Sequence, residues 1–238
     1  MKTAIRPEAE ACFFERDPNA PLVRRAMVEG IGTLLFVFTT VGSTLTPQHL
    51  LLQNPVVGLF VAAAATGGAL IGLILGLGCV SGAHFNPLIS GFQWLAGERS
   101  LGCVLAYLTA QLSGGIVGAL LANLIFGVDR QPVMPPAQWR LAASEIIATV
   151  GLMIVVFGCT RSGRAETAPF AVGIWLAAAI IATPSTSYAN PAIVVSALFA
   201  AGPIALSATT ALFYVPAEVA GALIAFVIVG FVYPLQRL

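Results

Sequence analysis

Two long stretches of this chain, Ile31 to Gly97 and Thr167 to Ala217, contain no Asp, Glu, Lys or Arg, and an Asn-Pro turn interrupts each: Asn86-Pro87-Leu88 and Asn190-Pro191-Ala192. Each stretch exceeds the ~20 apolar residues that cross a bilayer, so each holds more than one pass. Facing lipid, an Asn-Pro turn would leave backbone groups unpaired. It is tolerated only where protein covers it or where it borders a wet cavity. Two such breaks in matching contexts point to a duplicated pathway through a membrane protein.

Composition supports that class. Hydrophobic residues make up 58% of the 238-residue chain and charged residues 9%, with mean hydropathy +0.93, values that exclude an ordinary soluble domain. Apolar runs bounded by Gly, Pro and charge predict six spans, at about 25–46, 55–80, 101–126, 139–160, 168–183 and 211–233. Two shorter helices, Pro87 to Ala96 and Pro191 to Ala200, cannot cross alone. Asn is a favoured N-cap, and Pro fits the first helical turn, where its missing N–H costs nothing. Each triplet therefore predicts the start of a half-helix in an all-α membrane protein. The expected organisation is one channel domain over 1–238, with a tail at 1–24, a first repeat at 25–127 and an inverted second repeat at 137–238. The charged start through Arg25 lacks the apolar run and small-residue site of a cleaved signal peptide. Its mixed charges with Pro7 and Pro18 predict a disordered tail.

Placing both termini in the cytoplasm puts Lys2, Arg6, Arg16, Arg24, Arg25, Arg99, Arg161, Arg164 and Arg237 inside and only Arg130 and Arg140 outside, as the positive-inside rule requires. The two half-helices then enter from opposite sides. Cys12, Cys79, Cys103 and Cys159 fall in the tail or at inner span ends, on the reducing side, so neither a disulfide nor a metal site is expected.

An internal repeat accounts for the pair of turns. Glu29-Gly30-Ile31-Gly32-Thr33 and Glu145-Ile146-Ile147-Ala148-Thr149 both read ExxxT at the head of a span. Ala110-Gln111-Leu112-Ser113-Gly114 with Gly118 parallels Ala217-Glu218-Val219-Ala220-Gly221 with Ala225. Three spans per half is an odd number, so the second copy is inverted, a recurrent plan for solute pathways. The small residues of the second pair provide faces for close helix approach.

The string Ser81-Gly82-Ala83-His84-Phe85-Asn86-Pro87, the second Asn-Pro-Ala, the paired ExxxT helices and Ala110-Gln111-xx-Gly114 together resemble the major intrinsic protein family, the aquaporins and aquaglyceroporins. The resemblance runs from about Arg25 to Tyr233. It implies an hourglass monomer with its own pore, a homotetramer in the cell membrane, and a passive channel for water and small neutral solutes, with no catalytic residue, no cofactor and no nucleic-acid partner. In such a pore the two half-helix N-termini supply N–H donors and partial positive charge at one spot, which repels cations and opposes proton hopping. Asn86 and Asn190 would donate to passing oxygens. Carbonyls of Gly82, Ala83 and His84, and of Thr186, Ser187 and Tyr188, would form the acceptor ladder, while Glu29 and Glu145 would brace the loops.

The family's filter, carried over by spacing from the two Asn residues, falls on Thr66, Ala178, Ser187 and Ile193. Water-selective members have an aromatic ring, a His and an Arg at the first, second and fourth of these positions. Smaller, uncharged groups here predict a wider filter suited to polyols, urea-like amides or undissociated metalloid acids, a pattern similar to bacterial members linked with metalloid (arsenic) resistance. Loss of the Arg removes five donors and a fixed charge. Leu88, in place of the usual Ala, reads either as a bulkier lip or as a packed half-helix residue. Glu218 reads as reaching the outer interface, and His84 as a loop brace. Trp94, Trp139 and Trp175 read as interfacial anchors or packing residues. Two other classes stay open: a coupled secondary transporter, which needs an ion site, and an intramembrane hydrolase built on Ser81 and His84.

Overall fold

The computed structural model describes residues 20–50, 54–131 and 139–233. Lys2, Arg6, Cys12, Arg16 and Arg237, and the tail before Ala20, lie outside them. Six helices are long and apolar enough to span a membrane: α1 (Leu22–His49), α2 (Pro55–Ser81), α4 (Leu101–Phe126), α5 (Trp139–Arg161), α6 (Ala168–Ala182, preceded by a 3-10 turn) and α8 (Ala208–Val232). Two short helices, α3 (Pro87–Leu95) and α7 (Pro191–Ala197), begin at the Asn-Pro turns. No strand occurs among the described residues.

Both short helices start as their sequence dictates. Asn86 and Asn190 sit in extended backbone, and each side chain accepts the N–H two residues on, Leu88 and Ala192 respectively, both at 2.9 Å. They stop for different reasons. At the end of α3, Gly97 adopts φ 73°, and Glu98 N–H returns to Gln93 O at 2.8 Å, the glycine-terminated helix end that only a residue without Cβ enters freely. α7 closes at Ala197, three residues before the expected Ala200, because Asn123 of α4 captures the chain. The Asn123 amide donates to Phe199 O at 2.8 Å and accepts Ala201 N–H at 2.9 Å.

Glycine sets how closely the long helices cross. Lipid tails are as apolar as the helices themselves, so close packing holds the bundle together. A Cβ at Gly114 would run into Gly30 O of α1, and one at Gly118 into Leu34 O. α5 and α8 repeat this crossing, with Gly221 against Ile146 O. α2 and α6 meet through Gly67 and Gly173, each of which leaves room for the other's carbonyl oxygen; the sequence reading had not singled out this third crossing. Gly151 makes room for the Trp175 ring, whose Nε1 donates to Ala148 O at 3.1 Å. Trp175 is thus a packing residue, whereas Trp94 and Trp139 are exposed on the bundle surface.

One end of the bundle gathers the start of α1 and the ends of α2, α5 and α8. There Arg161 pairs with Glu98 at 3.5 Å, and Arg99 Nε donates to Gln93 Oε1 at 2.8 Å. Because Leu34 O offers no flexible atom to give way, Gly118→Leu should lower stability by about 1–3 kcal/mol, the usual range for overpacking. Thermal unfolding of the purified protein in detergent would measure it; an unchanged midpoint would mean that this crossing can relax.

Candidate functional site

Two irregular loops enter the bundle from opposite ends: Ser81 to Asn86 before α3 and Ser185 to Asn190 before α7. Their backbones follow the same path. Gly82, Ala83 and Phe85 have φ of 89°, 49° and 47°, and Thr186, Ser187 and Ala189 have 59°, 49° and 45°. Five of these six residues carry a Cβ, and left-handed backbone costs such a residue roughly 1–2 kcal/mol. Strain of this kind persists only where the surroundings over-determine it.

Two buried carboxylates supply that determination. Glu29 of α1 accepts His84 N–H at 2.9 Å on Oε1 and Phe85 N–H at 2.7 Å on Oε2. Ser81 Oγ–H and the Gln111 amide add bonds of 2.7 and 2.8 Å. Glu145 of α5 accepts Tyr188 N–H at 3.0 Å and Ala189 N–H at 2.8 Å. Both glutamates are fully buried, so these bonds stand in for the water that each carboxyl group gives up. Their expected bracing role is what the geometry displays. Glu218 corrects the reading of an interface-reaching side chain. It is fully buried, and its Oε1 accepts Asn190 N–H at 2.8 Å. Its place opposite Gln111 in the repeat was the available signal, hidden by the general rule that long acids near span ends reach water.

The loop tips meet at the centre. Asn86 Nδ2 donates to Ala189 O at 2.9 Å, and Asn190 Nδ2 donates to Phe85 O at 2.8 Å. Each carboxamide is therefore held twice, its oxygen by its own half-helix and one N–H by the opposite loop. Both carboxamide residues border a small cavity of about 20 Å³, together with Ala83, His84, Tyr188 and apolar side chains. One water needs ~10–15 Å³ by this kind of measure, so the centre has room for about one water and for nothing wider. Toward the opposite end it joins a vestibule of about 390 Å³ lined by Thr40, Thr44, Asn54, Thr66, Thr186, Ser187 and apolar groups. Leu176, Tyr188 and Ile193 border both spaces and mark the neck between them.

Most sequence-predicted residues converge on this path. Thr66, Ser187 and Ile193 line the vestibule; Thr66 Oγ1 and Ser187 Oγ are buried with no hydrogen-bond partner among the described residues. His84 binds Ser90 Oγ through Nδ1 at 2.8 Å. The His84 residue borders the small cavity, and its Nε2, on the side of Gly82, has no hydrogen-bond partner of ordinary geometry among the described residues. Ala178 does not join them. It sits on the exposed stripe of α6 with Phe170 and Ile174, while Leu176 and Ile180 line the vestibule from that helix. A fixed offset from Asn190 misplaced the position because two residues rotate a helix by roughly 200°. Gly82 borders neither cavity; a Cβ there would crowd the His84 ring and the Arg99 guanidinium. Leu88 packs in the core and lines neither space, which favours its packing role.

A family model described as Major intrinsic protein matches residues 18–189. The chain belongs to the major intrinsic protein family. It is 37% identical over 185 residues to "Aquaglyceroporin AqpS" of Rhizobium meliloti (strain 1021), covering 75% of this chain and 76% of that protein. It is 29% identical over 208 residues to "Aquaporin-8" of Mus musculus, covering 81% and 75%. The aquaglyceroporin from Plasmodium falciparum has the same fold, with TM-score 0.69 at 19% identity, covering 88% of this chain and 96% of that one. As a member of the family the protein is a multi-pass membrane channel, passive, for water and small neutral solutes.

Replacing Glu29 by Gln puts an NH₂ where an acceptor is needed, and each orphaned N–H costs about 1–3 kcal/mol. Glu29→Gln should therefore cut osmotic water permeability in proteoliposomes sharply, and retention of wild-type permeability would remove the carboxylate from its bracing role. Ile180→Phe should narrow the vestibule and slow solutes larger than water, whereas Ala178→Phe on the lipid face should leave solute flux as it was. The reverse pattern would restore the spacing-based assignment.

Proposed function

We propose that the channel passes water together with neutral solutes larger than water: polyols, urea-like amides and undissociated metalloid acids such as arsenous acid. The observation that carries this reading is the vestibule, whose lining carries no charged side chain. Two buried hydroxyls without partners, Thr66 Oγ1 and Ser187 Oγ, face a wall that includes Ile180, Ile193 and Leu176. A solute with polar groups on one edge exchanges water for the hydroxyls and the loop carbonyls, and slides its apolar edge along the opposite wall. The α6 wall of the vestibule is bulkier than the expected Ala178 would make it, since Ile180 and Leu176 line it instead.

Asn86 and Asn190 act as the central donors, and carbonyls of the two loops act as acceptors on either side. The N-termini of α3 and α7 converge beside them, and their partial positive charge repels cations and interrupts proton hopping. With Ile193 where a filter Arg is usual, exclusion of protons rests on that field. All steps are exchanges of hydrogen bonds, so no catalytic residue or cofactor is required. A coupled transporter needs an ion site, and Glu29 and Glu145 engage both carboxyl oxygens with loop N–H groups, while Glu218 holds Asn190 N–H.

The two halves act as inverted copies, with both termini cytoplasmic; the clustering of Arg24, Arg25, Arg99, Arg161 and Arg164 at one end supports this orientation. Assembly as a homotetramer is supported by an exposed small-residue stripe on α2, Ala64, Gly68, Gly72 and Gly76, whose glycines touch nothing within 4 Å and suit close helix approach.

Stopped-flow measurements on proteoliposomes with water, glycerol, urea and arsenous acid test the solute range. Wild type should pass water and larger neutral solutes, and Ile193→Arg should suppress the larger solutes more than water. Passage of water alone, unaltered by Ile193→Arg, would refute the wide-filter reading. A proton-sensitive dye in the same vesicles should report a leak that Ile193→Arg reduces.

A further inference from the structure

The two loop braces are built on one plan with one difference. In the first half, Gln111 of α4 stands beside Glu29 and donates its amide N–H to Oε2 at 2.8 Å. In the second half the matching side chain, Glu218 of α8, stands beside Glu145: the two carboxyl groups accept successive backbone N–H groups, Ala189 on Glu145 and Asn190 on Glu218, both at 2.8 Å. Both acids are fully buried. Glu145 uses both oxygens on the N–H groups of Tyr188 and Ala189, which calls for the ionised form. Glu218 accepts Asn190 N–H on Oε1, while its Oε2 has no partner among the described residues.

Two ionised carboxylates held on neighbouring N–H groups, out of water, repel strongly, and buried charges survive only when paired. Among the described residues no Lys or Arg acts on either acid. α6 and α7 contain no titratable side chain, and the titratable groups facing the pair from α8 and the loop are the phenols Tyr214 and Tyr188. A proton on Glu218 Oε2 resolves both problems. It removes one negative charge, and it turns the orphaned oxygen into a donor toward Glu145, the role that the Gln111 N–H plays toward Glu29.

We propose that Glu218 is a positioning residue of the pore, held as the neutral acid, which donates its proton to Glu145 while its carbonyl oxygen fixes the backbone N–H of Asn190. Through this contact α8 sets the direction of the Asn190 carboxamide and of the α7 N-terminus. The role is independent of which solute crosses, because it acts on the backbone of the loop and not on the cargo. It also defines what a replacement must supply: one acceptor and one donor, on a side chain of this length. Glutamine meets that requirement at position 218. At position 145 it fails, because there both oxygens must accept.

The experiment uses the full chain in proteoliposomes, with infrared spectra and osmotic water permeability measured on the same samples. Wild type should show a protonated-carboxyl C=O stretching band that shifts slowly in D₂O, and the band should vanish in Glu218→Gln. Glu218→Ala should lose water permeability by about tenfold or more, the scale of one orphaned buried donor, and Glu218→Gln should recover most of it. Glu145→Gln should lose permeability to a similar degree with no such recovery. Absence of the band from wild type at neutral pH would overturn the proposal without reference to any variant. So would a folded Glu218→Gln as impermeable as Glu218→Ala, since that outcome demands an ionised carboxylate at 218. Wild-type water flux is the control that separates these results from a failure of the solute-range reading.

Discussion

The structure depends on carboxylates buried in a membrane protein and bonded to backbone N–H groups that no helix can satisfy. Irregular backbone at membrane depth is tolerated only if something other than lipid completes its hydrogen bonds. Glu29 and Glu145 do this for loops that also hold left-handed residues with side chains. Without them the loops would have reason to straighten or to extend α3 and α7, and the two asparagines would not meet. The cost of burying each charge is offset by the same bonds that shape the pore, so fold and site rest on one set of contacts.

Helix packing puts those carboxylates where the loops need them. α1 carries Glu29 and crosses α4 at Gly114 and Gly118; α5 carries Glu145 and crosses α8 at Gly221. A crossing held open by one side chain would carry the acid and its neighbour, Gln111 or Glu218, apart. Backbone-to-backbone contact through glycine is therefore part of the machinery that orients Asn86 and Asn190. The reciprocal bonds from each carboxamide to the other loop then lock the halves together at the point where solute passes.

Beyond that centre the path is unequal. A small central cavity adjoins a wider vestibule whose polar groups include hydroxyls without partners among the described residues. Solvent or solute can complete those bonds, which distinguishes a conducting wall from a packed core, where buried polar groups find partners within the protein.

Much of this was legible in the amino-acid order. Apolar runs bounded by Gly, Pro and charge indicated six spans and the Asn-Pro turns marked both half-helices, because each signal is local and follows helix length or capping along one chain; the bracing role of Glu29 and Glu145 came from the family resemblance. The remaining features needed distances between elements. Ala178 turned outward and Ile180 inward because helix rotation about its own axis is decided by packing against α2. α7 stopped early because Asn123 reached it from α4. Glu218 turned inward to Asn190 because α8 presses on α5 through Gly221. The sequence by itself determined a duplicated, broken-helix membrane channel; tertiary structure alone decided which side chains face the neck and which acid holds the second asparagine, since those facts depend on how neighbouring helices rotate and how closely they approach.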